Sequence, residues 1–423
     1  MQQGSVKTFM MGWFAVPLWK RIILALVLGV IVGAIWGEGA QSIRWIGDLF
    51  IRLIQMVVVP LVFITIVSGM VAMGDPQKLG SLGVKTLALY MLTTALAIII
   101  GLSLAAAIQP GIGVDLSSAT PGTVQEAIPL GQRLMTIVPS NPIAALAEGN
   151  ILAVIFFALL FGMGILTVGK AAKPMADIMD AGAAVMLKLT GWVMEVAPFG
   201  VFALIAWVSG TQGLASLLDV VALATTVLLG CVLHMIIVHG GIMKFVLKLS
   251  PWRFFRNAKN AMLVAFSTSS SSATLPVTIS VAEQNVGIKP VVASTVLPLG
   301  ATINMDGSAL YVGIVSVFAA QAFGVELAFM DYLIIAGATT LVSIGTAAVP
   351  GASIFLMAAV MSSIGLSPDQ IAVVVGFVLP FDRPLDMSRT CVNVTGDLVV
   401  ATAVARWEGE FDEQIFNKDD QIY

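Results

Sequence analysis

The chain has 423 residues, 58% hydrophobic and only 11% charged, against roughly 25% charged in an ordinary soluble domain. So much apolar surface exceeds what one aqueous core hides, so lipid is the solvent for much of the chain. A net charge of −3 argues against nucleic acid as a partner, and the two cysteines, Cys231 and Cys391, lie in apolar runs that suggest neither a disulfide framework nor a metal knuckle.

Residues 20–37, KRIILALVLGVIVGAIWG, are basic and then apolar in the manner of a signal peptide. The run is long enough to span a bilayer and another follows closely, so it reads as a first transmembrane helix. Further spans are predicted near 45–73, 83–109, 150–168, 185–209 and 214–240. QPGIGVDLSSATPG (109–122) reads as a polar loop and PSNPIAALAEGN (139–150) as the entry into the fourth span. Lysine and arginine gather before span one, between spans two and three, between four and five, and after six, while the alternate loops carry only Arg44 and Arg133. The positive-inside rule then places the N-terminus and these rich loops in the cytoplasm.

After residue 250 the pattern changes. AMLVAFSTSSSSATLPVTISVAEQ (261–284) has an apolar arm, a serine run with a proline, and a second short arm. LIIAGATTLVSIGTAAVPGASIFLMAAVMSSIG (333–365) repeats that design around Gly345, Pro350 and Gly351. Both read as re-entrant hairpins, whose tips must be buried in protein or line a wet cavity. Each is followed by a helix with a polar interruption: 294–320 contains Asn304 and Asp306, and the last span contains DMSRTCVNVTGD (386–397). Two such units are the trace expected of an inverted repeat with a site between its halves.

The last span carries the chemistry. Asp382, Asp386, Arg389, Asn393 and Asp397 are spaced 4, 3, 4 and 4, which on an α-helix confines them to an arc of roughly 80° over about 22 Å. Each charge facing the centre of a bilayer costs about 2.5–3.5 kcal/mol, so four would cost about 10–14 kcal/mol. The stripe must therefore face protein, ions or substrate. Acids exceed bases along it, and an unpaired buried carboxylate needs a proton or a cation. Hard cations take oxygen ligands, which carboxylates and the carbonyls of broken helices supply. Arg389 offers a rigid donor fork for a carboxylate, Asp386 an acceptor for an ammonium, and Asn393 an amide, which together suit an amino-dicarboxylate. Pro380 and Pro384 are expected to bend the start of this helix.

Other polar residues read more blandly. His234 and His239 lack ligand spacing and read as structural. Glu195 reads as a helix-boundary or interface charge, and the serines 269–272 as flexible filler or as part of a site. Tyr90, Thr93 and Thr94 read, on their own, as helix packing with hydroxyls bonded back to the helix.

The motifs STSSSSATLP, PLGATINMDGSALY, SIGTAAVPGAS and LDMSRTCVNVTGD, in that order, resemble the dicarboxylate/amino acid:cation symporter family over residues 20 to 407. The resemblance implies an all-α polytopic membrane protein of eight transmembrane helices plus two re-entrant helical hairpins, assembled as a homotrimer in membrane lipid. A scaffold would comprise residues 1–82 (spans one and two) and 110–209 (spans four and five). A mobile transport unit would comprise 83–109 (span three), 210–250 (span six), 251–288 (first hairpin), 289–325 (interrupted span seven), 326–366 (second hairpin) and 367–407 (span eight), followed by a cytoplasmic tail, 408–423.

The resemblance further implies that Asp386 holds the substrate amino group, Arg389 its side-chain carboxylate and Asn393 its main-chain carboxylate. Thr390 and Ser308 would support them, and Ser270, Ser271, Val349 and Ser353 would close over the substrate from the hairpins. Asp397 with carbonyls of Gly300, Asn304 and Asn393 resembles one sodium site. Carbonyls of Thr302, Ser343, Ile344 and Thr346 resemble a second; Asp306 and Asn304 with Tyr90, Thr93 and Thr94 resemble a third, which overrides the packing reading of those hydroxyls. Proton-coupled glutamate members carry Asn where this chain has Asp397, and dicarboxylate members carry Ser where it has Asp386. The expectation is a sodium-coupled symporter of L-aspartate, L-glutamate or both in the plasma membrane of a prokaryote, working elevator-fashion and not an enzyme. The alternative is a proton-coupled glutamate or C4-dicarboxylate symporter. An intramembrane aspartyl protease fits less well, because 394–397 reads VTGD and lacks the GxGD form, and a plain ion channel would show no saturable uptake.

Overall fold

The computed structural model describes residues 16–72, 76–114, 116, 135, 138–211, 215–344 and 351–418. The expected second-hairpin tip, with Thr346 and Val349, lies outside the described residues, as does half of the 109–122 loop. Secondary structure among the described residues is helical, with one isolated antiparallel bridge between Ile288 and Phe411. The early helices follow the apolar runs: α1 (Leu18–Trp36), α2 (Arg44–Ala72), α3 (Pro76–Ile108), the short α4 (Pro142–Glu148), α5 (Ile151–Val168), α6 (Lys173–Thr211) and α7 (Ala215–His234). The run predicted at 185–209 is the second half of α6, which begins twelve residues earlier, at Lys173. Beyond His234, α7 continues through two π-helical turns, Met235–His239 and Ile242–Val246.

The first hairpin is α8 (Pro251–Thr268) folded against α9 (Ser271–Val281). Its reversal has a local cause. Ser269 adopts a left-handed conformation (φ 53°), and Ser270 turns extended and caps α9, its hydroxyl accepting from the Ala273 amide at 3.1 Å. In the second hairpin, α12 (Phe329–Ile344) packs on α13 (Ala352–Ser363). Between the hairpins, α10 (Pro290–Ile303) and α11 (Asp306–Ala322) form a helix broken at Asn304 and Met305. After the second come α14 (Pro368–Val378), a 3-10 turn at Leu379–Phe381, and α15 (Asp382–Glu408). The prolines do break this segment: Pro380 lies in the 3-10 turn, and Pro384 lies in the first turn of α15, where its missing N–H has no helical partner to lose. The short α16 (Glu413–Asn417) closes the described chain, its Phe416 carbonyl accepting from Asn257 Nδ2 at 3.0 Å.

Among the described residues five stretches are long and apolar enough to cross a bilayer: Lys20–Val71, Leu82–Ile108, Ala153–Thr211, Val220–Val246 and Pro290–Ala322. α1 turns Ile23, Leu24, Val27, Leu28, Ile31 and Ile35 outward, a continuous apolar face that suits lipid. The polar α15 is protected instead: every residue from Arg389 to Ala405 is buried. It packs on α8, α10 and α11, and α11 packs on α3, α7 and α13. α1, α2 and α5 pack on a different set, with α6 against α1 and α2, and α2 against α5. There Arg21, buried, donates to Glu195 at 2.7 and 3.2 Å, so Glu195 is an ion-pair partner joining α1 to α6. One buried apolar cluster runs through α1–α7 and α11–α14; a second is built mainly by α8, α9, α10 and the C-terminal half of α15.

Candidate functional site

The stripe on α15 divides into two halves with different electrostatics. In the first half, Arg389 Nη2 donates to Asp382 Oδ1 at 2.9 Å and to Asp386 Oδ1 at 2.8 Å. Its guanidinium lies over the Tyr311 ring, 3.7 Å from the centroid, while Nε and Nη1 are buried with no partner. Asp386 Oδ2 accepts from the Gly351 amide at 2.9 Å and stands 3.6 Å from Arg383 Nη1. Two carboxylates therefore face two guanidiniums, and charge balances locally. Arg389 is the largest of the fully buried side chains, and a guanidinium with two unused donors is arranged to receive an acceptor such as a carboxylate. Thr390 sends its hydroxyl back to the Asp386 carbonyl at 2.8 Å.

Asn393 sits between the halves and stitches the broken helix to α15. Its Oδ1 accepts from the Gly307 amide at 2.8 Å, an orphan donor in the first turn of α11, and its Nδ2 stands 3.4 Å from Ser308 Oγ. The second half is acidic. Asp397 Oδ1 accepts from Asn304 Nδ2 at 3.0 Å. The other end of that amide, Oδ1, lies 3.2 Å from Thr93 Oγ1, so Asn304 stands between Asp397 and the hydroxyls of α3. Asp306 Oδ1 accepts from Thr94 at 2.7 Å and stands 3.4 Å from Thr93 Oγ1. Tyr90 donates to the Val296 carbonyl at 3.0 Å. Gly300 is required here: a Cβ would collide with both Asp397 Oδ1 and the Tyr90 hydroxyl. Among the described residues neither Asp306 nor Asp397 pairs with lysine or arginine; Asp306 Oδ2 meets only imidazoles, His234 at 3.2 Å and His239 at 3.7 Å.

Ser270, Ser271, Ser308 and Ser353 are all buried. Thr302 lies in the last turn of α10, with Ser343 and Ile344 in the last turn of α12, and these two helices pack together. Helix ends leave carbonyls without intrahelical donors, which is the chemistry the sequence reading assigned to that place. Sequence reasoning missed three contacts at these groups. Tyr311 lies under Arg389, and the Gly351 amide on Asp386. The histidine pair beside Asp306 is the third; five-residue spacing hid it, since an α-helix would splay the two by about 140°. The π turn at Met235–His239 carries the second ring back beside the first. None of the three has a periodic signal. Ser269, one of the serines weighed in the sequence, has a buried hydroxyl with no partner.

The sequence profile of the sodium:dicarboxylate symporter family matches residues 18–407. The chain is 35% identical over 404 residues to a proton/sodium-glutamate symport protein of Bacillus subtilis (strain 168), covering 93% of each. It is 34% identical over 414 residues to a proton/glutamate-aspartate symporter of Escherichia coli (strain K12), covering 93% of each. A C4-dicarboxylate transport protein of Bacillus subtilis (strain 168) is 34% identical over 401 residues, 93% of this chain and 94% of that one.

Proposed function

The chain belongs to the sodium:dicarboxylate symporter family, a transporter and not an enzyme, and from that premise we propose that it carries L-aspartate, L-glutamate or both inward with sodium. One observation carries the reading: charge balances around Arg389 and fails to balance around Asp306 and Asp397. Sodium, as a co-transported substrate, supplies the positive charge the second half lacks. Asp397 with carbonyls of Gly300, Asn304 and Asn393 takes one ion. Thr302, Ser343, Ile344 and Thr346 take another through their carbonyls, and Asp306 with Asn304, Tyr90, Thr93 and Thr94 takes a third.

The amino acid occupies the first half of the stripe. Its side-chain carboxylate meets the unused Nε and Nη1 of Arg389, its main-chain carboxylate meets Asn393, and its ammonium takes the place of the Gly351 N–H on Asp386. Ser308 and Thr390 border it, with Ser270, Ser271, Val349 and Ser353 closing from the hairpins. Exchanging a hairpin amide for an ammonium at Asp386 links substrate arrival to hairpin position. The two packing sets described above suit an elevator, in which α3, α7, the hairpins and α10–α15 move against α1, α2, α5 and α6. The assembly is a homotrimer in the plasma membrane of a prokaryote, with both termini cytoplasmic.

A proton-coupled carrier of glutamate or C4-dicarboxylates is the second reading. It is favoured by the relatives' names and by the hydrogen bonds Asp306 accepts from Thr94 and His234, which offer its carboxylate partners other than a cation. Isothermal titration of aspartate, glutamate, serine and succinate at two sodium concentrations separates them. Aspartate or glutamate should bind about tenfold or more tighter at high sodium, the reciprocal coupling of two ligands. Binding indifferent to sodium, or succinate binding as tightly as either amino acid, sinks the proposal.

A further inference from the structure

His234 and His239 are both fully buried, with ring centroids 4.7 Å apart and planes nearly perpendicular. His234 Nε2 lies 3.2 Å from Asp306 Oδ2 and supplies that oxygen with a hydrogen bond. His239 adds none: its Nε2 stands 3.7 Å from the same oxygen, and neither of its ring nitrogens has a partner. Leaving a buried polar group unsatisfied costs about 1–3 kcal/mol, and a second imidazole turned on an already satisfied carboxylate oxygen calls for a ligand.

The geometry supplies one. The three candidate ligand atoms of His234, His239 and Asp306 lie within 4.8 Å of one another. Bonds of about 2.0–2.1 Å in a tetrahedral zinc centre separate its ligand atoms by about 3.4 Å, and the two separations to Asp306 Oδ2, 3.2 and 3.7 Å, bracket that value. Gly396 of α15 faces the cluster. A Cβ there would sit 3.2 Å from both His239 Nε2 and Asp306 Oδ2, and 2.8 Å from Asn304 Nδ2. Any larger residue would crowd the point where these groups converge.

The donor set is selective. Two imidazoles and one carboxylate suit zinc, cobalt or nickel, whereas sodium, magnesium and calcium prefer oxygen alone. The Asp306 carboxylate also divides its oxygens, Oδ1 toward Thr94 and Thr93, Oδ2 toward the imidazoles.

We infer that His234, His239 and Asp306 form a binding site for a divalent transition-metal ion of the zinc and cobalt class, on the opposite oxygen of Asp306 from the hydroxyls of α3. A carboxylate only accepts, so in the metal-free protein His234 Nε2 carries the hydrogen. On binding, the metal takes the lone pair of Nε2 in the other neutral tautomer, so the hydrogen is exchanged from Nε2 to Nδ1, which has no other partner, and the ring stays neutral. Only the effect of the metal on sodium rests on the function proposed above, because both ions would share Asp306.

The test uses tag-free, full-length protein in detergent, titrated to equilibrium with cobalt. One cobalt per chain should bind with visible d–d absorption, and zinc should abolish the bands. His239→Gln and Gly396→Ala should each weaken binding at least about tenfold, the scale on which even outer-shell partners act. Cys391→Ser should leave it unchanged. Melting temperature and elution volume identify a variant that fails to fold, in which case the other variant decides. The absence of visible bands at millimolar cobalt overturns the inference, as does undiminished binding in a folded double variant, His234→Gln with His239→Gln. Cobalt affinity that falls as sodium rises supports shared use of Asp306. Affinity that ignores sodium keeps the metal site and counts instead against sodium at Asp306.

Discussion

Arg389 commits Nη2 to Asp382 and Asp386, stacks on Tyr311 and keeps two donors unpaired in a buried place. Truncating one partner of a buried, hydrogen-bonded charge pair costs about 2–5 kcal/mol. Arg389→Cys should therefore weaken aspartate binding by about 30-fold or more and admit neutral amino acids, measured by titration calorimetry; unchanged aspartate affinity removes the arginine from the site. Among the described residues Asp397 is held by one amide and by no cationic side chain. Asp397→Asn should flatten the sodium dependence of amino-acid binding, and Gly300→Ala should do the same by pushing the carboxylate aside. Unaltered sodium dependence in both would put the ion elsewhere. The stripe was legible because α-helical period alone aligns Asp382, Asp386, Arg389, Asn393 and Asp397. Gly351 and Tyr311 were not, because a backbone amide and an aromatic face reach these groups from other elements.

At the scale of elements, α15 answers why a polar helix survives in so apolar a chain. The stripe from Asp382 to Asp397 is buried, and its side chains meet α10, α11 and the Gly351 amide of the second hairpin. Asn393 is the joint, since it alone satisfies the buried Gly307 amide at the break between α10 and α11. Asn393→Ala leaves that donor unsatisfied, which costs about 1–3 kcal/mol. The expected outcome is a lower melting temperature in detergent even without substrate; an unchanged melting curve would mean the break is held by other contacts. Helix breaks were legible wherever proline, glycine and polar residues interrupt an apolar run, as at Asn304 and at Pro380. The π turn at Met235–His239 was not, because MIIVH contains no breaker and its effect is a change of phase. Spacing rules therefore did not bring His234 and His239 together, because they assume a period that this segment does not keep.

For the whole molecule, the distribution of charge matters more than its sum. The acidic pair near Asn304 pairs with no lysine or arginine among the described residues, so under the proposed function a cation taken up there would make the moving, loaded unit less negative. If net positive charge moves inward, a membrane potential contributes about 2.3 kcal/mol per charge per 100 mV. An inside-negative potential of 100 mV should then raise steady-state accumulation about 50-fold per charge moved, measured as radiolabelled uptake into vesicles clamped with potassium and valinomycin. Accumulation indifferent to the potential would mean electroneutral exchange. Membrane residence was legible from composition alone, whereas the pairing of Arg21 with Glu195 and the docking of Phe416 under the first hairpin join residues 174 and 159 positions apart in sequence. Such contacts leave no local pattern to read.

Uptake of L-aspartate and L-glutamate into proteoliposomes, driven in turn by an inward sodium gradient and by an inward proton gradient, tests the central claim most directly. Accumulation under the sodium gradient, lost when choline replaces sodium, is the result this structure predicts. Equal accumulation under a proton gradient in the absence of sodium would contradict it.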